Sequence, residues 1–152
     1  MLTLQESYGS AMLSGKTLTW VGDGNNVAHS LMLGAPALGI NVRVATPTGY
    51  EPSAEVAELA DRAASANGVA PVFYTTDPLE AVHGSDVIVT DTWVSMGQED
   101  EFQKRMADFA GFVTKITPQA SEFGICKVVP PAAWRGPPKE PPAGNFLVRG
   151  AI

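Results

Sequence analysis

Four short apolar runs, each closed by a polar turn and separated from the next by a segment with helix signals, limit what this 152-residue chain can become. The runs Lys16–Asp23 (KTLTWVGD), Ile40–Pro47 (INVRVATP), Val72–Thr76 (VFYTT) and Asp86–Thr92 (DVIVTDT) have the β-branched and aromatic bias of strands. Between them, Asn26–Leu38 sets Val27, Leu31, Met32, Ala35 and Leu38 at helical spacing, with Pro36 kinking or shortening its last turn. Pro52–Gly68 places Val56, Leu59, Ala60 and Ala63 on one face behind a capping Ser53. Asp77–Glu80 (DPLE) supplies a cap, a proline at the first helical position and a glutamate three residues on, and Gly84 ends that helix. Strands alternating with helices in this way predict an α/β fold built on an open parallel sheet of about four strands with flanking helices.

Length and charge narrow the function. The chain is one domain's worth, and its 16 acids against 10 bases exclude electrostatic attraction to nucleic acid or an anionic membrane for the molecule as a whole. The charge is uneven, since residues 1–108 hold 14 acids and 5 bases while residues 109–152 hold 2 and 5. Seven of the twelve prolines lie between Pro118 and Pro142. These shifts predict a boundary near residue 113, with an irregular Pro-rich tail over 114–152 in which Gly124–Val129 is the only strand-like run. The single Cys126 cannot form an internal disulfide, no run is long and apolar enough for a membrane helix, and MLTLQESYGS has neither a signal-peptide core nor an arginine-rich transit face. A cytoplasmic protein is expected, unless an address lies upstream.

In open parallel sheets ligands settle beyond the carboxyl ends of the strands, where strand order reverses. Two strand ends here concentrate polar chemistry: Asp23, Asn25 and Asn26 after the first, and Asp91, Ser95 and the Met96–Gly97 backbone after the fourth. If those strands are neighbours, both loops face one crevice. A carboxylate at Asp91 suits an ammonium group, whereas the Asn26 amide, the Ser95 hydroxyl and N–H groups at a helix start suit a carboxylate. An α-amino acid offers both charges. Structural readings stand beside this one: Asp23 fixing the turn, Asn25 and Asn26 acting as turn residue and helix cap, Ser95 capping a helix with Gln98, and Asp91 holding a turn. A dinucleotide site is disfavoured, because Gly22 and Gly24 lack a third glycine and Asp23 lies where phosphate would approach. His29 reads as a packed histidine and His83 as a favourable charge at a helix end or a solvated residue. Two histidines and one distant cysteine make neither a metal site nor a nucleophile–base pair. Trp20 and Trp93 are expected near the top of the sheet, and Met96 offers an apolar lid.

The segments LTLQESYG, LTWVGDGNNVAHSLM, ATPTGYEP, DPLEAVHGSDVIVTDTWVSMGQE and FQKRMADFAGF together resemble the ornithine-binding half of ornithine carbamoyltransferases, over roughly residues 1–113. The resemblance implies a Rossmann-like domain in which Asn26, Asp91, Ser95 and Met96 hold the α-amino and carboxylate groups of L-ornithine, with Gly97 and Asn25 supporting the loops. In that family the uncharged δ-amine attacks carbamoyl phosphate to give citrulline and phosphate, a proximity effect without covalent catalysis. The family's Ser-x-Arg-Thr-Arg and His-Pro-x-x-Gln segments, which bind carbamoyl phosphate, and its His-Cys-Leu-Pro motif do not occur here. Cys126 is not carried over to that role. The expectation is therefore a truncated family member, inactive alone, with no catalytic residue, metal or cofactor of its own. It binds L-ornithine weakly, and its partner is a companion chain supplying the other domain. Beyond the fourth strand an apolar edge should stay open unless Ile125–Val129 adds to it. Asp108–Trp134 also resembles the JmjN segment of jumonji-type demethylases, without an iron-binding pattern. The alternative function is a non-catalytic binding or regulatory module whose tail, Trp134 and Arg135 included, meets a protein partner.

Overall fold

The computed structural model describes residues 1–9, 13–91, 99–112, 125–128 and 146–149. Its centre is a four-stranded, wholly parallel sheet of β1 (Thr17–Val21), β2 (Asn41–Ala45), β3 (Phe73–Thr75) and β4 (Val87–Val89), in the order β3-β2-β1-β4. The helices are α1 (Leu2–Tyr8), α2 (Asn26–Gly34), α3 (Ala54–Ala66), α4 (Pro78–Val82) and α5 (Phe102–Asp108). The open parallel sheet read from the strand pattern is therefore present. α1 and α5 were not read as helices from local pattern, because each is only seven residues long and neither has a side-chain cap. Pro36 ends α2 as expected: the last turn continues as a 3-10 helix over Pro36–Leu38.

Period-two alternation sorts the strand side chains between two cores. Leu18, Trp20, Val42, Val44, Val87 and Val89 face α2 and α3 through Ala28, Met32, Ala35 and Ala60, with Leu4 of α1 in the same cluster. Val21, Ala45 and Ile88 face the other way, against Ala81 of α4 and against Phe109 and Phe112 after α5. The caps behave as their sequences require. Ser53 accepts from the Val56 N–H, and Asp77 accepts from the Leu79 and Glu80 N–H groups. Glu80 does not close a reciprocal box with Asp77. Instead the Thr75 hydroxyl accepts from the Asp77 N–H at 3.1 Å and donates to Glu80 at 2.6 Å, so a strand residue relays the cap.

The short α4 is fastened by polar groups at its carboxyl end. Thr19, buried in β1, and Ser85 each donate to the Ala81 carbonyl, at 3.2 and 3.1 Å, and lie within hydrogen-bond distance of one another. The Arg43 guanidinium donates to the carbonyls of Ala81 and His83, at 3.2 and 2.6 Å. The favourable cation at this helix end is thus Arg43, reaching from β2, and it takes the role the sequence suggested for the His83 side chain. At the amino ends of β1 and β4 Lys16 pairs with Asp86 at 2.9 Å, which raises the lysine pKa above its ordinary value, and Asp86 also accepts from the Thr17 N–H.

The tail departs from expectation in two respects. Ile125–Val128 does form a strand, β5, but it pairs antiparallel with β6 (Phe146–Arg149) in a separate two-stranded sheet and makes no ladder with β4. Its partner β6 follows it in sequence, so the antiparallel pairing needs only a return of the chain. β6 leaves little local signal, because Phe146–Arg149 is short and follows a proline-rich stretch. The proline-rich run itself, with Trp134 and Arg135, lies outside the described residues. No helix among the described residues is long and apolar enough to cross a membrane.

Replacing Thr19 with Val should destabilise the chain by only about 1 kcal/mol, because the Ala81 carbonyl keeps Ser85 and Arg43 as donors. Urea unfolding of Thr19→Val, Ser85→Ala and the double variant checks this, and the two losses are expected to be non-additive.

Candidate functional site

The ladder between β1 and β4 brings the two polar strand ends together. Trp20 is in register with Val89, so Gly22 and Asp91, each two residues further on, leave the sheet side by side. Asp91 is half-buried there. Beyond β1 the chain turns at once into α2, and each residue of that turn has its own anchor. The Asp23 carbonyl accepts from Trp20 Nε1 at 2.9 Å, and the Gly24 N–H donates to the Tyr50 carbonyl at 2.8 Å. Asn25, extended at φ −83° and ψ −174°, caps α2 by accepting from the Val27 and Ala28 N–H groups at 3.0 and 3.2 Å.

These contacts resolve the two asparagines. Asn25 is the cap, with its side-chain oxygen committed to the helix, and Asn26 is the first helical residue, exposed. The expected order, turn residue then cap, is thus shifted by one position, because Asn25 takes the extended backbone a cap requires. His29 accepts from the Ser53 N–H through Nε2 at 3.4 Å, a packing contact between α2 and the start of α3. Ser95, Met96 and Gly97, with Trp93, lie outside the described residues.

Gly24 works differently from a phosphate-cradling glycine. A Cβ there would lie 2.3 Å from Pro52 N, 2.5 Å from Glu51 C and 2.6 Å from Tyr50 O, so the β2–α3 loop is packed backbone to backbone against it. Its N–H is already bonded to Tyr50. A pyrophosphate has no room and no donor at this point, which supplies a geometric reason against a dinucleotide site.

Sequence reasoning missed the largest electrostatic feature near the site. Arg105 of α5 is buried, with 6% exposure, and donates to Asp23 at 2.6 Å and to Glu101 at 2.9 Å. Burial works against the guanidinium charge, but the hydrogen bonds to Asp23 and Glu101 outweigh it and raise the Arg105 pKa. Its carbon Cζ sits 5.0 Å from the centre of the Tyr50 ring, which meets Phe109 edge-on at 4.7 Å. The Tyr50 hydroxyl donates to Asp108 at 2.8 Å and accepts from Lys104 at 2.9 Å, while Lys104 also pairs with Asp108 at 2.9 Å. Asp23 therefore does fix the turn, through its carbonyl and its carboxylate together. Glu101 and Arg105 stand four residues apart, a spacing that the sequence carries, but nothing local in the sequence marks the arginine as buried. Among the described residues no group of three or more His, Cys, Asp or Glu side chains could hold a metal ion.

Comparison with known proteins agrees with this geometry. Residues 14–122 match the family described as "Aspartate/ornithine carbamoyltransferase, Asp/Orn binding domain". The chain belongs to this carbamoyltransferase family. It is 50% identical over 111 residues to the mitochondrial ornithine carbamoyltransferase of Aquarana catesbeiana, covering 73% of this chain and 31% of that protein. It is 53% identical over 109 residues to the ornithine carbamoyltransferase of Nostoc punctiforme, covering 72% and 34%. Among solved structures, the Pyrococcus furiosus ornithine carbamoyltransferase superimposes with a TM-score of 0.66 at 45% identity, over 73% of this chain and 34% of that one. The carbamoyltransferase domain described here thus spans about a third of the length of these relatives.

Gly24→Ala should cost roughly 2–3 kcal/mol, since backbone on both sides must move to admit the methyl group; thermal unfolding beside Gly34→Ala, where the backbone has no positive φ and the added Cβ meets nothing within 4 Å, separates packing from the loss of a glycine. Lys104, then Tyr50, hold the Asp108 carboxyl below its ordinary range. The folded-state pKa is depressed, so the contribution is present above about pH 4 and lost as pH falls through the lower folded value. Carbon-detected titration of Asp108 should show the depressed midpoint in the native chain and its return towards about 3.9 in Lys104→Met.

Proposed function

We propose that this carbamoyltransferase domain carries an amino-acid half-site for L-ornithine at the carboxyl ends of β1 and β4. The observation that carries the reading is the Trp20–Val89 register, which sets the strand end leading into the Asn25–Asn26 turn beside the one leading to Asp91. Asp91 would accept from the α-ammonium group, and the exposed Asn26 amide would donate to the carboxylate. Ser95 and Met96 join this assignment from their sequence motif, with Gly97 allowing their loop its turn and Asn25 serving as the support beneath Asn26. The family match, whose description includes ornithine binding, supports L-ornithine as the ligand.

The chain's role in the reaction is then to present the amino acid. The carbamoyl phosphate motifs Ser-x-Arg-Thr-Arg and His-Pro-x-x-Gln are absent from its sequence, so the donors that stabilise developing charge have to come from elsewhere. A companion chain supplying them completes the proposal. Binding by the half-site alone is weak, because few contacts offset the ordering of loops and ligand. No observation among the described residues favours the alternative of a non-catalytic module acting through the tail.

Heteronuclear NMR titration of the chain with L-ornithine and, separately, L-norvaline tests this. Saturable shifts at the amides of Gly24, Asn26 and Val27 are expected with both ligands, which share the α-amino and carboxylate groups, and Asp91→Asn should weaken binding by about tenfold, one charge-assisted hydrogen bond. A well-dispersed spectrum that ignores both ligands would sink the reading. Citrulline formation from L-ornithine and carbamoyl phosphate should stay at the uncatalysed rate.

A further inference from the structure

The Asp23–Arg105 contact joins positions 82 residues apart and crosses from the β1–α2 turn to a helix on the opposite face of the sheet. The other anchors of that turn are neutral and belong to the α/β framework itself: Trp20 Nε1, the Tyr50 carbonyl and the Asn25 cap. Among the described contacts of the turn, the one at the Asp23 carboxylate is made to a charged group. Its position decides where the next residues point, because Asp23 immediately precedes Gly24, whose backbone is wedged against Tyr50–Pro52, and Asn25, whose cap sets the start of α2.

We infer that Arg105 is a positioning residue: by holding the Asp23 carboxylate it fixes the β1–α2 turn and so the direction in which Asn26 presents its amide. The inference about the turn stands by itself; its bearing on L-ornithine rests on the half-site reading above. Packing alone does not require an arginine here. Phe109 and Phe112 already bury α5 and the turn after it in the second core, with Phe109 wholly enclosed, and an apolar side chain of similar volume commonly replaces a buried ion pair without loss of stability. What an apolar side chain cannot do is fix direction. The guanidinium plane addresses Glu101 through Nε and Asp23 through Nη1, with the Tyr50 ring 5.0 Å from its central carbon, so the fork can turn neither way without losing a partner. Tyr50 ties the device to the second loop, since its carbonyl holds Gly24 while its hydroxyl holds Asp108 of α5.

Residue-resolved amide hydrogen exchange on the full chain tests this, comparing the wild type with Arg105→Met, Arg105→Lys, Asp23→Asn, the Asp23→Asn/Arg105→Met double variant and Glu101→Gln. The amides of Gly24, bonded to the Tyr50 carbonyl, and of Val27 and Ala28, bonded to the Asn25 side chain, are expected to exchange roughly tenfold faster in Arg105→Met and Asp23→Asn, while those of Leu18 and Val44 in the strands are unchanged. The double variant should be no faster than either single variant, Arg105→Lys should fall between wild type and Arg105→Met, and Glu101→Gln should resemble wild type. Turn amides that do not move, or increments that add in the double variant, would overturn the inference. Should Arg105→Met unfold the whole chain, Asp23→Asn and Arg105→Lys decide alone: faster exchange confined to the turn supports the inference and its absence overturns it. Titration with L-ornithine keeps the two proposals apart. A wild type that ignores the ligand removes the half-site, while the exchange pattern still decides how Arg105 acts on the turn.

Discussion

The parallel ladder between β1 and β4 is the constraint on which the rest of this structure depends. It puts a strand from the end of the α/β run beside the first one, so that β1 is paired on both sides and the chain directions on its two flanks diverge. A parallel sheet cannot leave either face to water, and here the two faces are closed by different means. One is closed by area, with α2, α3 and α1 laid over Leu18, Trp20, Val42 and Val87. The other is closed by a helix of five residues that hydrogen bonds hold at its carboxyl end, together with the aromatic pair after α5. The same ladder aligns Gly22 with Asp91, and the polar crevice is a by-product of that alignment.

Most of the framework could be read from the chain because local and global signals agree in it. Strand runs, Ser53, Asp77 and Pro36 each specify a conformation that tertiary packing then uses. What failed to show were elements whose stability comes from the whole. α1 and α5 are short and lack side-chain caps, so nothing in their own residues announces them; Leu4 and Phe109 become informative only once the cores that enclose them exist. β6 is masked by its proline-rich surroundings, and the condition that Ile125–Val129 add to the edge at β4 is not met, since β5 finds its ladder partner in β6.

The site was legible in its parts and not in its wiring. Residue chemistry pointed to Asn26 and Asp91, on the condition that their two strands be neighbours, and β1 and β4 are neighbours. A one-residue ambiguity between two adjacent asparagines, however, is settled only by backbone angles, and Asn25 takes the cap. Arg105 lies in a charged stretch, Glu99–Arg105, in which no local signal sets one residue apart as buried. Its burial follows from where α5 lands, which depends on Phe109 and on the Tyr50 ring from a loop more than fifty positions earlier. Long-range partners of this kind leave no periodic trace.

The contact at Gly24 has a consequence for how such a domain can diverge. Two loops that touch through main chain, with no side chain between them, offer no intermediate size to substitution: the position is glycine or the loops part. Insertions in the Pro47–Ser53 connection would have to preserve the place of the Tyr50 carbonyl, and insertions after β1 would have to preserve the place of the Gly24 N–H. The lengths of two loops that are remote in sequence are therefore tied to one another. Drift in this domain should be free along the outer faces of its helices, and coupled where these loops meet.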